Sequence, residues 1–141
     1  MHTILVVDDV ALCRQFVAAA LEHAGYKTVS AADGVEGLQQ LEQNKIDLVV
    51  LDSQMPRMNG AAFLHALRAD ARFTTLPVIL LTGSADRRVI VQVRLLGAQD
   101  YLLKTQFTSE ELIVRVKRHL STSTYLHSAA PSHAPGTPAV P

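Results

Sequence analysis

The chain has 141 residues, 48% of them hydrophobic, enough for one domain with a real core and too few for two comfortable ones. Thirteen basic and thirteen acidic side chains cancel, so neither direct nucleic-acid binding nor an electrostatic membrane anchor is expected. One cysteine excludes an internal disulfide, no apolar run approaches the roughly eighteen residues of a membrane span, and no signal peptide precedes Ile4; a cytoplasmic protein is expected.

His2 to Val7 reads as a first buried strand, stopping at the acids Asp8 and Asp9. From Val10 to Gly25, Cys13, Phe16, Val17, Ala20, Leu21 and Ala24 recur at helical spacing, and Gly25 suits the position just past the helix end. On that stripe Cys13 reads as a small core residue rather than a redox thiol. Lys27 to Ala31 reads as a second strand, and Gly34 to Asn44 as a second helix with Val35, Leu38 and Leu41 as its buried ridge.

Leu48 to Leu51 are consecutive apolar residues, a third strand buried on both faces, and Asp52 ends it. By itself Asp52 reads equally as a cap or turn acid and as a carboxylate facing a polar cleft. Met55 to Gly60 is expected to be a loop, with Asn59-Gly60 as a turn pair, before a helix through Phe63, Leu64 and Leu67. Pro77 opens a fourth strand, Val78 to Leu81, which runs into Thr82-Gly83-Ser84. Asp86 to Leu96 is the fourth helix and Tyr101 to Leu103 the fifth strand, with Lys104 directly after it. Thr108 and Glu111 form a capping box for a last helix whose ridge is Leu112, Val116 and Leu120.

Five strands alternating with five helices predict an α/β fold, an open doubly wound parallel sheet whose crevice lies beyond the carboxyl ends of the strands. Asp8, Asp9, Asp52, Thr82 and Lys104 all fall there. Converging carboxylates repel unless positive charge sits between them, and hard oxygen ligands point to magnesium. A carboxylate can itself take a phosphoryl group. Asp52 is the natural acceptor, with the metal, Lys104 and the Thr82 hydroxyl on the phosphoryl oxygens.

Asp8-Asp9 after the first strand, LDSQMPRMNG at the third, LLTGS at the fourth and DYLLK at the fifth together resemble the receiver domain of two-component response regulators, over roughly residues 2 to 120. The resemblance implies the flavodoxin-like strand order 2-1-3-4-5. It also implies a phosphoryl group passed to Asp52 from a phosphohistidine on a sensor histidine kinase or phosphotransfer protein. Magnesium would be held by Asp9, Asp52 and the Gln54 backbone carbonyl, with Asp8 assisting through water. Phosphorylation would draw Thr82 inward and bury Tyr101, shifting the surface of helix 4, strand 5 and helix 5 toward a second arrangement that controls a partner or output domain. Beyond its own phosphorylation and dephosphorylation, no enzymatic activity is implied. Gln54 and Ser84 flank the phosphoryl site and would tune the lifetime of the product.

Two departures from the family pattern stand out. Thr105 replaces the usual proline after the lysine, in a loop one residue longer, so a trans Lys104-Thr105 peptide is expected, the cis form costing about 2.5–4 kcal/mol without proline. The fourth helix is apolar nearly all round, which suits either a homodimer or output interface or additional core packing. The histidines sit at no metal-ligand spacing. Residues 121–141 are rich in Ala, Pro, Ser and Thr and contain no Asp, Glu, Lys or Arg, so a flexible tail or linker is expected after a domain at 1–120. The competing readings are a degenerate receiver that binds partners without phosphorylation and an aspartate-nucleophile phosphatase. The phosphatase's DxD is broken by Gln54.

Overall fold

The structure, a computed structural model, describes residues 1–83 and 87–132, and their side chains except at 87, 89, 93 and 122–132. Its elements alternate as β1 (Thr3–Val7), α1 (Ala11–His23), β2 (Lys27–Ala31), α2 (Gly34–Gln43), β3 (Leu48–Asp52), α3 (Gly60–Ala69), β4 (Val78–Thr82), α4 (Arg87–Leu95), β5 (Asp100–Leu103) and α5 (Ser109–Ser132). The strands form one parallel sheet in the order β2-β1-β3-β4-β5. Every residue of β3 and β4 is buried, as expected of strands covered on both faces.

Strand alternation divides the core into two layers. Leu5, Val7, Val49, Leu51, Val78 and Leu80 pack on one face with Leu41, Phe63, Leu64 and Leu67 of α2 and α3. Ile4, Val6, Leu48, Val50, Ile79 and Leu81 pack on the other with Val17 and Leu21 of α1 and Leu112, Val116 and Leu120 of α5. Each such side chain fully withdrawn from water contributes roughly 1.5–3 kcal/mol, before the entropy cost of ordering it.

Helix ends follow local chemistry. Gly25 takes φ +100 beyond α1, and Gly25 N and Tyr26 N donate to Glu22 O and Leu21 O, closing the helix in a Schellman arrangement. Asp33 caps α2, its Oδ1 accepting from Glu36 N at 2.9 Å. Thr108 Oγ1 accepts from Glu111 N at 3.1 Å, which is the forward half of the expected capping box.

Several expectations are corrected. Val35 is 37% exposed and Phe16 49% exposed, although helical spacing places both on apolar stripes expected to be buried. In α2 the inward position belongs to Gly37, where a Cβ would stand 2.9 Å from the Phe63 ring, so the helix packs closely through a glycine. The loop expected to run through Gly60 ends one residue earlier: Asn59 caps α3 by accepting from Ala62 N, and Gly60 is the helix's first residue. A single 3-10 turn at Ala71–Phe73, not anticipated, follows α3. The helix α5 runs to Ser132, beyond the buried ridge that ends at Leu120. The last nine positions of the expected tail, 133–141, lie outside the described residues, as does Ser84.

Candidate functional site

The register of the sheet assembles the site. Val7 pairs with Leu51 and Thr82 with Leu103, so Asp8 and Lys104 each stand one residue beyond a paired position, while Asp52 itself pairs with Leu81. Asp8, Asp52 and Lys104 continue the strand phase that faces α1 and α5. Thr82 and Tyr101 continue the opposite phase. The two sets therefore meet at the carboxyl edge from different sides of the sheet.

Asp8 is 1% and Asp52 3% exposed, whereas Asp9 is exposed. One carboxylate oxygen from each of the three lies within 4.8 Å of the others. Asp8 Oδ1 accepts from Val10 N at 2.8 Å and from Lys104 Nζ at 3.1 Å, and Arg14 donates to the Asp8 carbonyl at 2.7 Å. Lys104 Nζ also stands 3.1 Å from Asp52 Oδ2. That oxygen makes no aligned hydrogen bond, so the contact is a charge pair; Asp8 Oδ2 is likewise buried without a hydrogen-bond partner. Gln54, on the exposed loop after β3, donates its backbone N–H to Asp52 Oδ1 at 3.4 Å.

Burial, reinforced by the charge on Asp8, pushes the Asp52 carboxyl up to about 6 against the opposing pull of Lys104. Burial alone would lower the Lys104 amine, but Asp52 and Asp8 together hold it above its ordinary value. Thr82, 1% exposed, ends β4, and the half-buried Tyr101 packs against the core layer under α2 and α3.

No cis peptide occurs among the described residues, so the Lys104-Thr105 bond is trans, as expected. Lys104 N donates to Thr82 O at 2.7 Å, and Gln106 N and Phe107 N both donate to Leu103 O. The longer loop closes as a turn on the end of β5 and leaves the amine in the acid pocket.

Two features escape the sequence pattern. Cys13 belongs to the stripe under α1, yet it also borders the acids: burial first and the Asp8 carboxylate next push its thiol up to about 12, leaving it neutral. Its place in the first turn of a helix that starts beside Asp8 and Asp9 is the available signal. Asp33 and Arg57, far apart in sequence, form an ion pair beside the loop after β3. No spacing pattern announces that contact.

A five-stranded sheet of this order, with acids and a lysine at its carboxyl edge, defines a doubly wound protein of the flavodoxin-like class. The chain belongs to the response regulator receiver domain family, whose model matches residues 4–117. It is 40% identical over 113 residues to hybrid signal transduction histidine kinase D of Dictyostelium discoideum, covering 80% of this chain and 7% of that protein. It is 34% identical to the phosphate regulon transcriptional regulatory protein PhoB of Pseudomonas aeruginosa, covering 95% of this chain and 58% of that one. Among solved structures, a chemotaxis protein of Vibrio cholerae superposes with a TM-score of 0.79 at 32% identity, over 84% of this chain and 98% of that one. The chain thus spans less than two thirds of the two curated relatives. Its function is that of a receiver domain in phosphorelay signalling. No helix among the described residues is long and apolar enough to cross a membrane.

Proposed function

We propose that Asp52 is the phosphoryl acceptor, and the observation that carries this reading is Lys104 Nζ standing 3.1 Å from both Asp52 Oδ2 and Asp8 Oδ1. A buried carboxylate flanked by a fixed cation, with lone pairs unspent, suits a nucleophile better than a structural ion pair. An Asp52 oxygen attacks the phosphorus of a phosphohistidine on a sensor kinase or phosphotransfer protein. The P–N bond breaks, the imidazole leaves, and an acyl phosphate remains. Lys104 and the Thr82 hydroxyl then donate to phosphoryl oxygens.

The acid cluster fits a small hard divalent cation, because each of its three aspartates offers a carboxylate oxygen within 4.8 Å of the others, and Asp8 Oδ2 and Asp52 Oδ2 are buried without a hydrogen-bond partner. Asp9, Asp52 and the Gln54 carbonyl would hold magnesium, with Asp8 acting through water. When bound, the ion neutralises charge on the phosphoryl group. Thr82 and Tyr101, which share a strand phase opposite to that of Asp52, carry the change outward to the surface of α4, β5 and α5. There Val91 is 54% and Leu95 83% exposed, an apolar face suited to an output domain, a downstream protein or a second copy. Residues 1–120 act as the receiver unit, and the stretch from Ser121 onward as a tail or tether to an output module. A cytoplasmic setting fits a protein phosphorylated by a kinase.

Mass spectrometry after incubation with acetyl phosphate and magnesium tests the reading. A labile phosphoryl adduct is expected on the wild type and none on Asp52→Asn. No adduct on either would favour a receiver that acts without phosphorylation.

A further inference from the structure

We infer that Arg57 is a positioning residue for the metal site, holding the loop after Asp52 through an ion pair with Asp33; this rests on the reading that Asp9, Asp52 and the Gln54 carbonyl bind a divalent cation. Arg57 is the one non-glycine residue at positive φ (66°) among the described residues. A bulky side chain keeps such a backbone only where its surroundings over-determine it.

Asp33 supplies that constraint. Its Oδ1 caps α2, while its Oδ2 accepts from Arg57 Nε at 3.1 Å and from the guanidinium terminus as well. Together the cap and the guanidinium hold the Asp33 carboxyl below the usual carboxylate range. The next pair along repeats the contact. Met58 packs on Gly34 so closely that a Cβ on Gly34 would meet the Met58 side chain at 2.7 Å. Two consecutive loop residues therefore sit on two consecutive residues at the start of α2. Met55 is buried in the core, and Gly60 N donates to Ser53 O at 3.1 Å. The loop is pinned at both ends and on its outer side, and Gln54 lies within it.

The test uses manganese as probe, titrated into the full chain and followed by electron paramagnetic resonance, with thermal melts in parallel. Asp33→Asn keeps an oxygen for the α2 cap but loses the ion pair. Arg57→Asn tolerates positive φ and loses it from the other side. Simple electrostatics predicts opposite signs: removing Asp33 should weaken cation binding and removing Arg57 should tighten it. A positioning role predicts that both weaken it, by about 10-fold, as for outer groups that orient metal ligands, with partial recovery in Arg57→Lys. Tighter or unchanged manganese binding in Arg57→Asn overturns the inference, even if the melting temperature falls. Asp9→Asn separates the two levels. If wild type binds and Asp9→Asn does not, the metal site stands whatever Arg57 does; if wild type does not bind manganese, both readings fall.

Discussion

Lys104 Nζ lies 3.1 Å from Asp52 Oδ2 across a pair in which the carboxylate side chain is 4% exposed and the lysine 20%. Replacing Lys104 with Met keeps much of the stem's packing but leaves Asp8 and Asp52 facing each other with no cation. The Asp52 carboxyl then rises further, and stability at pH 7 falls by about 2 kcal/mol, short of the roughly 3–5 of a fully buried pair because water reaches the amine. Denaturant melts should show this. Adding Asp8→Asn should cost less than the sum of the single changes, by about 1 kcal/mol, since both act on one ion network.

Asp52 imposes a stability cost whose sign follows from its raised carboxyl. The folded protein keeps that proton up to about 6, whereas a free carboxyl releases it near 3.8. Between those values the native state binds more protons, so this group's contribution falls as pH rises through the window and the full penalty stands above it. Asp52→Asn removes the penalty. The variant should be more stable than wild type by about 2 kcal/mol at pH 7.5, with the gap closing toward pH 3.8. Thermal melts across this range check it, and an equal gap at both ends would refute the assignment.

Much of this was legible in the sequence because strands buried on both faces are uninterrupted apolar runs, and each such run here ends at a polar residue in the crevice. Asp8, Asp9, Asp52, Thr82 and Lys104 could be placed from that alone. The pairing order of the strands could not, and came from the family resemblance. Glycines leave no trace in the hydrophobic pattern. Gly37 and Gly60 have no side chain for hydrophobic periodicity to register, yet both mark close approaches, while Val35, placed on the buried ridge by its spacing, is 37% exposed. The Asp33–Arg57 pair was invisible because a long-range ion pair leaves no periodic trace.

Magnesium should stabilise the chain in a pH-dependent way. Metal ligands must be deprotonated, and Asp52 keeps its proton up to about 6. At pH 7.5, magnesium at 100 times its Kd should add about 2.7 kcal/mol, read as a rise in melting temperature. That rise should shrink as pH falls through 6 and be largely gone near 3.8. Asp9→Asn should abolish most of it at every pH. A rise that is independent of pH would place the bound cation somewhere other than on Asp52.

Gly60→Ala and Gly37→Ala separate damage to the site from damage to the core. A Cβ on Gly37 meets the Phe63 ring at 2.9 Å and a Val7 methyl at 3.2 Å, side-chain atoms that can give way. A Cβ on Gly60 meets the Asp52 carbonyl oxygen and Ser53 Cα, each at 2.9 Å, and these are backbone at the end of β3. Relief there requires moving the segment that carries Asp52. Overpacking should cost about 2 kcal/mol in either variant, partly offset by up to ~1 kcal/mol of helix propensity gained over glycine. Phosphorylation should distinguish them. Per folded molecule, Gly37→Ala should form the adduct at the wild-type rate, while Gly60→Ala should be slower by about 10-fold, since displacements of order 1 Å at a reacting group cost at least that much. Equal labelling rates in the two variants would show that the strand end moves without consequence for Asp52.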